Sequence, residues 1–349
     1  MSWLTDVEDD DEWGEYDESD AKVRPNPKAN KPRSKTRPEH ADAVPGRVFS
    51  VDRGRYGVWV AEGTPEERQV VASKARELGK GAVVTGDRVD LVGDVSGAEG
   101  SLARIVRIHP RETLLRRSAD DTDAVERIIV ANADQMLIVV AAANPEPRPR
   151  LVDRYLVAAF DAGVRPMMVI TKTDLADPAP FLANFAGLDL RVFLSAAGEF
   201  PVAELTEALQ GHTTVAVGHS GVGKSTLVNA LVPEANRAIG RVNDVTGRGR
   251  HTSSSTVSYR IGSGWIVDTP GVRSFGLGHV DPANILRGFP DLAALAERCP
   301  RGCTHLPEAP DCAIVEAVQA GELGEVGALR LDSFQRLITT LGSGDEGGR

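Results

Sequence analysis

From Gly46 to Arg117 apolar and polar residues alternate in short runs broken by glycine. GRVFSVDRGRYGVWVAEG (46–63) reads as two strands joined by a glycine-containing turn. QVVASKARELG, AVVTGDRVDLVGDV and GSLARIVRIHP follow at similar spacing. Period-two alternation turns one face of each strand inward. About five short strands in so short a stretch predict a small β-barrel, with the OB-fold as the expected form.

The pattern changes near Thr113. VERIIVANADQMLIVVAAAN (125–144) holds a continuous apolar run, as a parallel strand buried on both faces requires. LVDRYLVAAFDAGV (151–164) has helical period, and PMMVITKTD (166–174) is a second apolar strand that ends in polar residues. RVFLSAAG, VAELTEALQ, TTVAVGHSGVGKSTLVNALV, SSTVSYRI and GWIVDTPG extend the alternation of strands with helices. That predicts a doubly wound α/β domain. Past Asp281 the segments ANILRGF, LAALAERC, AIVEAVQAGEL and ALRLDSFQRLITTL read as helices, and GSGDEGGR as a frayed end. The expected division is a tail at 1–44, a barrel at 45–112, the α/β domain at 113–282 and a helical domain at 283–349.

Charge changes this picture at one end only. The chain has 349 residues, with 40 Lys and Arg against 50 Asp and Glu, a net charge of −10. Residues 1–20 hold ten acids and no base, so they account for the whole imbalance. Residues 21–40 carry seven bases, one acid and four prolines. Neither stretch can bury enough apolar surface to offset the entropy of ordering, so 1–44 is expected to be disordered. Without residues 1–20 the chain is neutral overall, and its charge does not argue against a nucleic-acid partner. No run of 18 apolar residues occurs and the N-terminus is acidic, so neither a membrane span nor a secretion signal is expected.

The candidate chemistry begins at Gly218-His219-Ser220-Gly221-Val222-Gly223-Lys224-Ser225-Thr226. This fits GxxxxGK[ST], follows an apolar strand and opens a helix, as a phosphate-binding loop must. Its glycines let backbone N–H groups converge on phosphate oxygens, and the helix N-terminus adds its positive end. Lys224 is expected to neutralise the β- and γ-phosphates and Ser225 to bind Mg²⁺. Asp268-Thr-Pro-Gly271 ends another strand, 44 residues after Lys224. There Asp268 can hold Mg²⁺ through water and Gly271 can sense the γ-phosphate. Thr171-Lys172-Thr173-Asp174 resembles the guanine-reading Asn-Lys-x-Asp, with threonine in place of asparagine. Its carboxylate would accept two hydrogen bonds from the guanine edge, which adenine cannot supply. Ser195-Ala196-Ala197 resembles the second guanine-side loop. In the polar loop Gly247–Thr256, Thr252 is the first choice to complete Mg²⁺ coordination and Ser253 the second. Arg248 and Arg250 in that loop suit RNA or the γ-phosphate equally.

All three cysteines fall within 299–312. Cys299, Cys303, His305 and Cys312 offer three thiolates and one imidazole. That is a closed tetrahedral set for structural Zn²⁺, not a disulfide framework, and it suits a reducing cytoplasm.

The order of the motifs is unusual. TKTD and SAA precede the phosphate loop, whereas in Ras-like GTPases they follow it. A β-barrel, then TKTD, SAA, GHSGVGKST, GRGRHTSSST and DTPGVRSFGL, then a Cys/His cluster, together resemble the bacterial RsgA (YjeQ) family of small ribosomal subunit biogenesis GTPases. The resemblance covers about 46–340. It implies an N-terminal OB-fold, a central circularly permuted P-loop GTPase domain and a C-terminal α-helical zinc-binding domain. It implies cofactors GTP/GDP, Mg²⁺ and Zn²⁺, and hydrolysis stimulated by the 30S subunit during late maturation, with contacts to 16S rRNA. It implies a cytoplasmic protein, which we expect to be a monomer. The residue after DTPG is Val272, which cannot orient a water as the Ras-like glutamine does. The resemblance assigns that task to His251, alongside Lys224 as a catalytic group. The family's pattern has the same overall Cys/His span with Cys303 shifted by one residue. Two other readings stand beside this one: an RNA-binding scaffold with incidental nucleotide binding, and a P-loop kinase or ATPase.

Overall fold

The computed structural model describes residues 40–52, 54–79, 83–118, 126–197, 199–233, 256–269 and 275–342. Most of the stretch expected to be disordered, 1–39, lies outside them, as do 234–255, 270–274 and 343–349.

The alternating stretch forms five strands: β1 (Val44–Asp52), β2 (Arg55–Val60), β3 (Arg68–Lys74), β4 (Arg88–Gly93) and β5 (Ala103–Ile108). They pair in the order β1-β2-β3-β5-β4, and β4 returns to β1. The sheet is therefore closed, which removes its edges. Only β3 and β5 run parallel. Val48, Val58, Val70, Val89, Leu91 and Ile105 fill the interior, each almost wholly buried. This is the OB-fold barrel that the alternation predicts.

The apolar run at 125–144 contains the expected buried parallel strand and one strand more. It forms two strands, β7 (Glu126–Ala131) and β8 (Gln135–Ala141), and not one. β7 pairs antiparallel with β6 (Leu114–Ser118) in a separate two-stranded sheet. The break is at Asn132, whose φ is 56°. Asparagine tolerates this left-handed conformation, and its short amide can bond locally. Here its Oδ1 accepts from the Glu112 N–H at 2.8 Å, and its Nδ2 donates to the Gly86 carbonyl at 2.9 Å.

Gly86 is where the barrel meets this turn. The Ala131 N–H donates to the Thr85 carbonyl at 3.0 Å. Gly86 has φ +91°, and a Cβ there would stand 2.0 Å from the Ala131 carbonyl oxygen. Backbone meets backbone at this point, so no rotamer change can relieve a clash. We expect Gly86→Ala to destabilise the protein by about 3 kcal/mol, the combined cost of a left-handed alanine and an overpacked contact. Chemical denaturation measures this; a loss below about 0.5 kcal/mol would show that the junction yields freely.

β8 is buried at every position. It lies in a sheet with β9 (Arg165–Thr171), β10 (Arg191–Leu194), β11 (Thr213–Val217), β12 (Val257–Ile261) and β13 (Gly264–Asp268), in the order β10-β9-β8-β11-β13-β12. All run parallel except β12, which pairs antiparallel with β13. β12 also meets β1 of the barrel, at Val257 opposite Ser50.

Helices cover both faces, as a parallel sheet requires. On one face lie α1 (Pro149–Asp161) and the short α2 (Ala179–Leu182). On the other lie α3 (Val202–Leu209) and α4 (Lys224–Leu231), whose Leu205, Leu209, Leu227 and Val228 pack on Val139, Val169 and Ile266. The C-terminal helices are α5 (Pro282–Ile285), α6 (Pro290–Ala296), α7 (Ala313–Gln319) and α8 (Gly324–Gly342). They have no separate core. Phe289, Ile314, Phe334 and Leu337 join the cluster that includes Leu156 and Phe160 of α1. Arg336 of α8 pairs with the buried Asp153 of α1 at 3.2 Å. Burial raises the Asp153 carboxyl pKa, and the Arg336 charge opposes that rise. Among the described residues, no helix is long and apolar enough to cross a membrane.

Candidate active site and metal centre

The loops that follow β9, β10, β11 and β13 lie at the carboxyl ends of parallel strands, where open α/β sheets bind ligands. β11 leads into the glycine-rich turn, and α4 starts at Lys224. Gly218, Gly221 and Gly223 have φ of +155°, +81° and +94°, which side-chain-bearing residues rarely adopt. A Cβ on Gly218 would stand 2.4 Å from the Val139 carbonyl oxygen, so the turn lies tight against β8. Ser225 and Thr226, in the first turn of α4, are exposed.

β11 lies beside β13 with Ala216 opposite Asp268. That register brings the Lys224 ammonium onto the Asp268 carboxylate. Two residues 44 apart in sequence thus form one polar corner.

The TKTD and SAA loops come to the same end of the sheet and bond to each other. The Thr173 N–H donates to the Ser195 carbonyl at 3.1 Å. The Ala197 N–H donates to the Asp174 carboxylate at 2.8 Å. Ser195 closes its own loop, donating to the Glu199 carbonyl at 3.0 Å. TKTD also bonds to the glycine-rich turn. Thr171 Oγ1 donates to the Val222 carbonyl at 2.6 Å, and Lys172 Nζ to the Gly221 carbonyl at 2.9 Å. Lys172 Nζ also meets the Asn144 carbonyl, which sequence reasoning did not single out. A backbone acceptor leaves no mark in the residue pattern. His251, Thr252, Ser253 and Gly271 lie outside the described residues.

The second cluster lies in the helical region. Cys299 follows α6, Cys312 caps α7, and Cys303 and His305 lie between them. Their four ligand atoms all lie within 4.8 Å of one another. His305 Nδ1 is 3.6 Å from both Cys299 Sγ and Cys312 Sγ, and those sulfurs are 3.9 Å apart. A tetrahedral Zn²⁺ site with ordinary bond lengths needs S–S distances of about 3.8 Å and S–N distances of about 3.6 Å. The residues therefore fit that ion. The shifted position of Cys303 does not open the cluster. Burial pushes the Cys312 thiol up to about 11, with Cys303 and Cys299 adding to the rise. Thiolates this close call for a cation between them. Burial lowers the His305 pKa, which favours the neutral imidazole that a metal ligand must present. Gln335 Nε2 of α8 donates to the His305 carbonyl at 2.8 Å, and the Phe334 ring lies 6.0 Å from the imidazole.

Comparison with known proteins bears on this arrangement. The RsgA GTPase family model matches residues 108–278. The chain is 39% identical over 269 residues to the small ribosomal subunit biogenesis GTPase RsgA of Pseudomonas syringae pv. syringae, covering 74% of this chain and 75% of that protein. The chain belongs to the RsgA GTPase family. The RsgA of Pseudomonas aeruginosa is 37% identical over 273 residues, covering 74% of this chain and 76% of that one. Among solved structures, YjeQ from Thermotoga maritima matches with a TM-score of 0.62 at 25% identity, over 86% of this chain and 99% of that one. The structure of YloQ, described as a circularly permuted GTPase, matches in fold with a TM-score of 0.62 at 24% identity, over 90% of this chain and all of that one. Like the family it belongs to, the chain is a GTP-hydrolysing enzyme with a circularly permuted GTPase fold, and its substrate is a guanine nucleotide. The permutation explains the motif order, because the same strands and loops close the same site from a different starting point.

Proposed function

We propose that this GTPase acts in assembly of the small ribosomal subunit, binding the 30S particle and hydrolysing GTP to GDP and phosphate in response to it late in maturation. The observation that carries the reading is the single site formed by TKTD, SAA and the phosphate loop, tied together by side-chain and backbone hydrogen bonds. The relatives' names, which specify small ribosomal subunit biogenesis, supply the partner.

In this reading the N–H groups of 218–226 cradle the phosphates and Lys224 neutralises them. Asp174 accepts from the guanine edge, the Lys172 stem covers the base, and the SAA loop meets the guanine oxygen. Ser225, Thr252 and Asp268 are hydroxyl and carboxylate groups, the hard oxygen donors that Mg²⁺ requires. When bound there, Mg²⁺ supplies positive charge to the β- and γ-phosphates. Gly271 senses the γ-phosphate, and His251 orients the attacking water. Cys299, Cys303, His305 and Cys312 hold a structural Zn²⁺, and the barrel and helical region contact 16S rRNA. We take 45–112, 113–282 and 283–349 as the three domains of a cytoplasmic monomer.

The test is hydrolysis of GTP and ATP by the purified protein, with and without 30S subunits. We expect GTP-selective turnover that rises at least tenfold with 30S particles, within the range by which partners stimulate GTPases. GTP binding with no stimulation would favour a scaffold whose nucleotide is incidental, and preference for ATP would overturn the guanine reading.

A further inference from the structure

Thr171 opens the loop that resembles the guanine-reading motif, yet its side chain is buried against the glycine-rich turn. The residue is 3% exposed. A hydroxyl has one proton to give. Thr171 Oγ1 lies 2.6 Å from the Val222 carbonyl and 3.3 Å from the Val140 carbonyl, so the shorter contact takes that proton. No donor remains for a nucleobase.

What the bond does follows from the planar trans peptide. Carbonyl and N–H point in opposite directions across one peptide unit. Fixing the Val222 oxygen on Thr171 therefore fixes the direction of the Gly223 N–H. In the same way, Lys172 Nζ on the Gly221 carbonyl fixes the Val222 N–H. Both peptides lie between glycines with positive φ, Gly221 at +81° and Gly223 at +94°. Glycine alone allows either orientation of such a peptide. Two side chains of TKTD thus hold two successive N–H groups of the phosphate loop in one orientation.

We propose that Thr171 is a positioning residue for the phosphate loop and takes no part in reading the guanine base. Its hydroxyl holds the Gly223 N–H toward the β-phosphate, and discrimination between bases falls to Asp174. This rests on the reading of 218–226 as the phosphate cradle.

The experiment measures dissociation constants for GDP, IDP and GMP on the full chain and its variants. IDP lacks the guanine amino group, and GMP lacks the β-phosphate. Thr171→Val keeps the shape and removes the hydroxyl, leaving a buried carbonyl that relaxes until nucleotide binding forces it back. We expect GDP to bind about tenfold more weakly, GMP to change less than about twofold, and the GDP/IDP ratio to hold. Thr171→Ser restores the donor and should recover GDP affinity. Should the valine variant fail to fold, Thr171→Ala against Thr171→Ser carries the same comparison. Equal losses for GMP and GDP, a fallen GDP/IDP ratio, or unchanged GDP affinity in a folded variant lacking the hydroxyl would each overturn the proposal. Asp174→Asn, measured alongside, should collapse the GDP/IDP ratio. If it does not, the nucleotide-site reading fails, whatever Thr171 does.

Discussion

Lys224→Ala should cut GTP turnover by about a thousandfold, the upper end of what one preorganised charge contributes at a transition state. The size follows from where the ammonium sits. Its side chain is 12% exposed, at the first residue of α4, and it meets a carboxylate that is 20% exposed. In this partly buried corner a positive charge acts more strongly than in bulk water. Removing it takes away the phosphates' fixed counter-charge and leaves Asp268 to repel them. Stability should suffer far less, because Asp268 keeps access to solvent. The expected result is therefore a folded protein, its thermal midpoint within a few degrees of the parent, with single-turnover hydrolysis nearly abolished at saturating GTP. Turnover within tenfold of the parent would remove Lys224 from the catalytic machinery. Lys224→Arg should also be impaired, since a planar guanidinium does not fit a cradle shaped around a point charge.

Some parts of this architecture could be read from the residues and others could not, for physical reasons. The glycine-rich turn between β11 and α4 was legible because its glycines are a backbone requirement, and Gly218, Gly221 and Gly223 all adopt positive φ. The barrel was legible as alternation and strand number, but which strands close it, β4 on β1, was not, since pairing between distant strands leaves no local signal. The run at 125–144 looked like one buried strand because both halves are apolar. The turn depends on Asn132, a single residue whose side chain reaches back to the barrel. Thr171 was visible as a departure from the guanine motif, but its partner is a carbonyl 51 residues away. The Cys/His set was legible as a ligand inventory. That its helices share a core with α1 emerges only from packing.

That shared core sets the scale of the second large effect. Removing the metal from Cys299, Cys303, His305 and Cys312 should unfold the C-terminal helices. A structural zinc site carries roughly 10–16 kcal/mol of apparent binding energy, comparable to the whole stability of a typical domain. Among the described residues, the chain between α6 and α7 is otherwise held by turns, by Ala309 at the edge of the core, by an exposed Arg298–Glu322 pair and by the bond from Gln335 to the His305 carbonyl. Loss of the loop also uncovers the middle of α8, where Phe334 packs against both His305 and Phe289. Phe289 in turn meets Phe160 of α1. The damage should therefore reach the GTPase sheet as a lowered thermal midpoint, not stop at the metal loop. A strong chelator is expected to release one zinc per chain and to lower the helical circular dichroism signal. Cys312→Ser should do the same without chelator, since Cys312 is 1% exposed and a serine hydroxyl is a poor zinc ligand. Zinc-free protein with full helicity and an unchanged midpoint would mean that hydrophobic packing alone holds these helices.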